Sequence, residues 1–105
     1  MNSSLVRMRI KVLKQAKEDI ALARDFYDAQ ELGVGDYFLT QITAEIDSLV
    51  YLAGVHRVVD GFHKMVARRF PYAIYYRVAG DCVKVYAVLD TRRNPDWIAA
   101  RLTGN

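Results

Sequence analysis

The side chains with the greatest chemical capacity in this chain are its arginines. Arg68 and Arg69 are adjacent, Arg92 and Arg93 are adjacent, and Arg57, Arg77 and Arg101 complete the set in the C-terminal half. A guanidinium presents a rigid fork of donors that matches carboxylate and phosphate. Arginine outnumbers lysine ten to five. Residues 1–53 carry 6 Lys+Arg against 8 Asp+Glu, and residues 54–105 carry 9 against 4. The net charge of +3 therefore understates a C-terminal half balanced at +5. Such a half suits an anionic macromolecule, either nucleic acid or an acidic protein segment.

Other chemistries find less support. His56 and His63 are seven residues apart across Gly61, which is not the i, i+4 spacing of a helical zinc pair. They read as loop or strand histidines, and no metal is expected. Cys82 is the only cysteine, so no internal disulfide can form, and it reads as an ordinary thiol. Gly33 and Gly35 lack the third glycine and the lysine of a phosphate loop, and suit a turn between helices. Glu18 and Asp19 are neighbours on a helix and point in different directions, as at a solvated helix start. Phe70, Tyr72, Tyr75, Tyr76 and Tyr86 could stack bases, but tyrosine is common in strands and sheet packing accounts for most of them. No cofactor is expected.

These groups need elements to place them. The alternation of apolar and basic residues over 6–12 predicts a strand with Val6, Met8, Ile10 and Val12 inward and Arg7, Arg9 and Lys11 outward. A helix is expected from about Gln15 to Gln30, with Ala16, Ile20, Ala23 and Tyr27 on its apolar stripe, joined by Phe26. After the glycines, a second helix should run from about Asp36 to Ala53 on Phe38, Ile42, Ile46, Leu49 and Ala53. The short link makes the two an antiparallel hairpin. The period then changes to two. Strands are expected near 57–60, 63–69, 72–78 and 83–89, with Gly61, Pro71 and Gly80-Asp81 as interruptions, forming an antiparallel meander. On one strand, Arg68 and Arg69 would point to opposite faces. Asn94, Pro95 and Asp96 open a short last helix anchored by Trp97, Ile98 and Leu102. The fold class is α+β, in one domain over 1–105. Disorder is expected only at residues 1–4 and 103–105. No apolar run is long enough for a signal peptide or a membrane helix, so the expected location is the cytoplasm.

The order strand, helical hairpin, sheet, short helix resembles the RelE/ParE superfamily of type II toxins. The resemblance rests on three segments: Ala16 to Tyr27 with Gly33-Val34-Gly35-Asp36-Tyr37-Phe38-Leu39, then Arg69-Phe70-Pro71-Tyr72-Ala73-Ile74-Tyr75-Tyr76-Arg77-Val78, then Val85 through Thr91-Arg92-Arg93-Asn94-Pro95-Asp96-Trp97. It implies a small toxin wrapped by a cognate antitoxin. RelE-type members cut messenger RNA on the ribosome with basic side chains and a C-terminal tyrosine, without metal. ParE-type members are associated with inhibition of DNA gyrase.

Position by position, Lys64 matches the first of two strand lysines in RelE, whereas the second falls on Val66. The arginine after the strand tyrosine falls on Ala73, and the later arginine on Arg92. Trp97-Ile98 stands near the tyrosine position, and Asp90 where many relatives carry histidine. Loss of cations that stabilise a charged transition state costs orders of magnitude in rate. The resemblance thus implies the ParE branch, with Arg68, Arg69, Arg77, Arg92, Arg93 and Trp97 as partner-binding residues. A ribosome-dependent ribonuclease using Lys64, Arg68 and Arg92 is the enzymatic alternative. A non-toxic antitoxin-binding module is the third.

Overall fold

The structure, a computed structural model, describes residues 7–104. Val6 of the expected first strand, and the tails expected to be disordered at residues 1–4 and Asn105, lie outside the described residues. Thr103 departs from that expectation: it closes the last helix, its hydroxyl donating to the Ala99 carbonyl at 2.7 Å.

The chain runs β1 (Arg9–Val12), α1 (Lys14–Gln30), α2 (Val34–Asp47), α3 (Leu49–Leu52), β2 (Val58–Val59), β3 (Phe62–Val66), β4 (Tyr72–Ala79), β5 (Cys82–Asp90) and α4 (Pro95–Thr103). The sheet order is β1-β5-β4-β3-β2. β2 to β5 form the expected antiparallel meander, and β1 lies parallel to β5 at the edge. Local chemistry fixes the tight turns. Asp60 and Gly61 both have positive φ (53° and 84°), the requirement of a two-residue type I′ hairpin, which Asp-Gly meets at little cost.

Both faces of the sheet carry helices, the hairpin on one and α4 over part of the other. On one face, Ala16 and Ala23 of α1 and Phe38, Ile42 and Ile46 of α2 pack on Met65, Ile74, Tyr76, Val83, Val85 and Val88. On the other, Ile98 and Leu102 of α4 pack on Phe62, Ala73, Tyr75, Ala87 and Leu89. A bulge makes this division possible. Tyr75 pairs with Ala87 while Tyr76 pairs with Val85, so Tyr86 is an extra residue in β5. One inserted residue reverses the alternation. Val83 and Val85 face the hairpin, whereas Ala87 and Leu89 face α4.

The hairpin depends on Gly35. Its N–H donates to Asp28 Oδ1 at 2.7 Å, and a Cβ there would lie 2.4 Å from the Arg24 carbonyl oxygen. Four details differ from the sequence reading. The second helix is interrupted at Ser48, whose hydroxyl donates to the Glu45 carbonyl at 2.6 Å; such bonding competes with regular helix. β3 ends at Val66, and the Ala67 N–H turns to the Tyr72 carbonyl at 2.8 Å, so Arg68 and Arg69 lie in a bend rather than on opposite faces of a strand. Phe26 is 52% exposed and stands off the buried stripe, and Trp97, at 40%, leaves the anchoring of α4 to Ile98 and Leu102. Among the described residues, no helix is long and apolar enough to cross a membrane.

Candidate partner-binding surface

The end of β5 and the start of α4 form a rigid basic corner. Asn94 caps α4 by accepting from the Asp96 N–H at 2.7 Å, and Pro95 occupies the first turn. The two residues before the cap are held from Asp90, whose carbonyl accepts from the Arg93 N–H at 3.2 Å. Arg92 makes a fork onto Asp90, with Nε on Oδ1 at 3.0 Å and Nη2 on Oδ2 at 2.8 Å, and its backbone N–H also reaches Oδ1 at 2.8 Å. Hydrogen bonding from Arg92 holds the Asp90 carboxyl below its ordinary range. Arg93 instead lies over the Trp97 ring, its Cζ 4.1 Å from the centroid. The two neighbouring arginines thus differ in kind. Arg92 has a neutralising partner, and Arg93 presents a full charge on an aromatic plate.

Behind this corner, a groove of about 460 Å³ runs between α1 and α4. Leu22 and Phe26 form one wall, Trp97 and Arg93 the other, and Tyr72, Val88 and Leu89 the floor. Burial, reinforced by the neighbouring Tyr27, pushes the Tyr72 hydroxyl up to about 12. It is therefore a neutral phenol at physiological pH. Asp19 closes one end of the groove. Its Oδ2 accepts from the Val88 N–H at 3.0 Å, and both its oxygens accept from Arg101 Nη2 at 2.8 and 2.7 Å. Burial raises its proton affinity against these hydrogen bonds. Asp19 is thus a structural tie among α1, β5 and α4, not part of a solvated helix start, and Arg101 is engaged in the same tie. The signal was in the sequence: Asp19 stands three residues after Ala16 and four before Ala23, on the buried stripe itself.

The other candidates lie apart. Arg68 and Arg69 line a second groove, between α2 and β3, with Glu45, Ser48 and His56. Glu45 fixes its rim by accepting from the Arg68 N–H at 2.9 Å. Arg77 projects on the α4 side, its guanidinium 4.0 Å from the Phe62 centroid and its Nε donating to the Gly61 carbonyl at 3.0 Å. Lys64 follows the same side of β3, because Met65 faces the hairpin. No hydrogen bond or ion pair among the described residues joins Lys64, Arg68 and Arg92. The histidines serve a loop. Burial lowers the His56 pKa, and its Nδ1 is in hydrogen-bond contact with Tyr76 OH (2.5 Å), while His63 Nδ1 donates to the His56 carbonyl at 2.6 Å. Tyr75 and Tyr76 are fully buried in the sheet, and Cys82 is a half-buried thiol at the start of β5. Among the described residues, no three His, Cys, Asp or Glu side chains are grouped to hold a metal.

No protein-family model matches the sequence, and a search of curated proteins gives no match. The architecture does match a solved structure, described as "Chromosomal ParDE TA system from P. aeruginosa". The TM-score is 0.70 at 19% identity, over 77% of this chain and 92% of that one. At that identity the likeness establishes the fold, an α+β architecture of the kind found in that toxin–antitoxin system.

Proposed function

We propose that this chain is the toxin of a type II toxin–antitoxin pair, of the ParE kind, acting by binding a macromolecular target rather than by cleaving RNA. The observation that carries the reading is the shared architecture with a chain of the ParDE system, over nearly all of that chain. The basic corner supports it: Arg93 and Trp97 form a preorganised, exposed cation–aromatic plate of the kind that anchors protein interfaces. The antitoxin covers Arg68, Arg69 and the neighbouring sheet edge, with acidic side chains pairing there. DNA gyrase is the first target to test.

Induced expression should arrest growth, co-expression of the cognate antitoxin should relieve it, and the purified chain should inhibit supercoiling by gyrase. Unimpaired gyrase activity at saturating toxin would sink the gyrase assignment. New messenger 5′ ends on translating ribosomes would move the chain to the ribonuclease class. Recovery of an antitoxin without any growth arrest would make it a non-toxic binding module.

A further inference from the structure

The segment that joins α3 to β2 is attached to the sheet by polar contacts through two histidines and one tyrosine. Val55 and Val58 are 69% and 57% exposed, so neither anchors it in the core. Instead the fully buried Tyr76 offers its hydroxyl, which receives the Gly54 N–H at 3.0 Å and meets His56 Nδ1 at 2.5 Å. The backbone N–H of His56 also bonds to this oxygen. Two N–H groups fill the two lone pairs of the phenol oxygen, so what it has left for the ring is its own proton. His56 Nδ1 is therefore the acceptor, and the ring is neutral. Beside it, His63 stacks on Tyr76 with centroids 5.0 Å apart, and its Nδ1 donates to the His56 carbonyl at 2.6 Å. A carbonyl accepts and never donates, so charging His63 leaves that bond in place. Charging His56 does not, because a proton at Nδ1 would face the proton of Tyr76. The groups around His56 are Glu45 from α2, His63 from β3, Tyr76 from β4, and Arg68 and Arg69 across a groove of about 430 Å³. Burial disfavours the charged ring most, His63 adds to this, and Glu45 opposes it while already engaged by the Arg68 N–H.

We infer that His56 is a proton-operated latch: the neutral ring holds the 53–57 segment on Tyr76 as one wall of the Arg68–Arg69 groove, and the charged ring releases that wall and adds a third cation beside the two arginines. Local opening of this kind is cheap where a segment buries few apolar groups. The sign follows from linkage. The released ring binds a proton more readily than the latched one, so acid favours release. The latch is complete above the free imidazole value of about 6.5 and is lost as pH falls through the lower folded value. The inference concerns the groove itself and is tested without a partner, so its outcome is separate from that of the toxin reading.

The test is residue-resolved amide exchange of the full chain by NMR across about pH 5 to 8, where imidazole titrates, expressed as protection relative to the unfolded rate at each pH. The reporters are the Gly54 and His56 amides, both bonded to Tyr76. Their protection should fall about tenfold per pH unit between about 6.5 and the folded His56 value, while the amides of β4 and β5 keep theirs. His56→Asn retains an acceptor, Oδ1, in the place of Nδ1 but cannot take a charge, so its protection should not change with pH. Tyr76→Phe removes the hydroxyl and should expose both reporters at neutral pH. Protection that holds in acid in the parent chain, or falls equally in His56→Asn, would overturn the inference. So would imidazole nitrogen shifts that place the proton of neutral His56 on Nδ1.

Discussion

Arg92 and Arg93 are neighbours with different electrostatic situations. Arg92 is forked onto Asp90, and its charge is largely answered before any partner arrives. Arg93 keeps its charge and gains a fixed orientation from Trp97. Replacing both, as Arg92→Ala with Arg93→Ala, should reduce toxicity at equal protein level while leaving the far-ultraviolet spectrum unchanged. Full toxicity in that variant would place the target-facing surface elsewhere. Asp90 makes a second, pH-dependent prediction. Its folded pKa lies below the unfolded value of about 3.9, so its stabilising contribution is complete above that value and is lost as pH falls through the lower folded value. Acid titration of the melting temperature should therefore show a shallower fall below about pH 4 in Asp90→Asn than in the parent chain. Asp19 behaves differently, because burial raises its folded pKa against three hydrogen bonds that favour the carboxylate. Asp19→Ala should cost about 3 kcal/mol in urea unfolding, and Asp19→Asn less, since the amide oxygen can still accept from Val88.

Among the elements, the hairpin and the last helix are set by single residues. Gly35 lets α2 approach α1 so closely that any side chain would strike the Arg24 carbonyl and the Asp28 carboxylate. Gly35→Ala should destabilise by about 1–3 kcal/mol, measured by denaturant midpoint, although alanine is the better helix former. Asn94→Ala removes the cap of α4 and should cost about 1 kcal/mol. It should also loosen Arg93 and Trp97, which the cap holds at the corner. Most of this order was legible in the chain. The periods of 3.6 and 2 located α1, the four meander strands and α4, and Asn94-Pro95-Asp96 located the cap. The break at Ser48 was not legible, because a serine hydroxyl bonding to the preceding turn leaves no mark in an apolar pattern that continues through Leu49 and Ala53. The bulge at Tyr86 was hidden for a related reason. In a strand buried on both faces, an inserted residue changes which side each apolar group meets without changing the run of apolar residues.

Across the whole molecule, the sequence read correctly that the charge is concentrated but not how it is divided. Composition shows one basic half; the fold spreads it over three surfaces, the Arg92–Arg93 corner, the Arg68–Arg69 groove and a row on the sheet in which Lys84 and Arg77 are joined in register by Lys11 from the other half. The three are separated because β3 stops before Arg68, α4 covers only one end of its face, and Arg92 turns back onto Asp90. Sequence proximity could not reveal this, since Lys11, Lys84 and Arg77 meet only through strand register. A corresponding consequence belongs to Asp19. β1 shields β5 only as far as Val85, and beyond it the buried Val88 amide meets the Asp19 carboxylate rather than a strand. By occupying that amide, a carboxylate donated from α1 denies another chain its first foothold for cross-β growth. The same residue that ties three elements together therefore also caps a stretch of strand edge that a second chain could otherwise pair with.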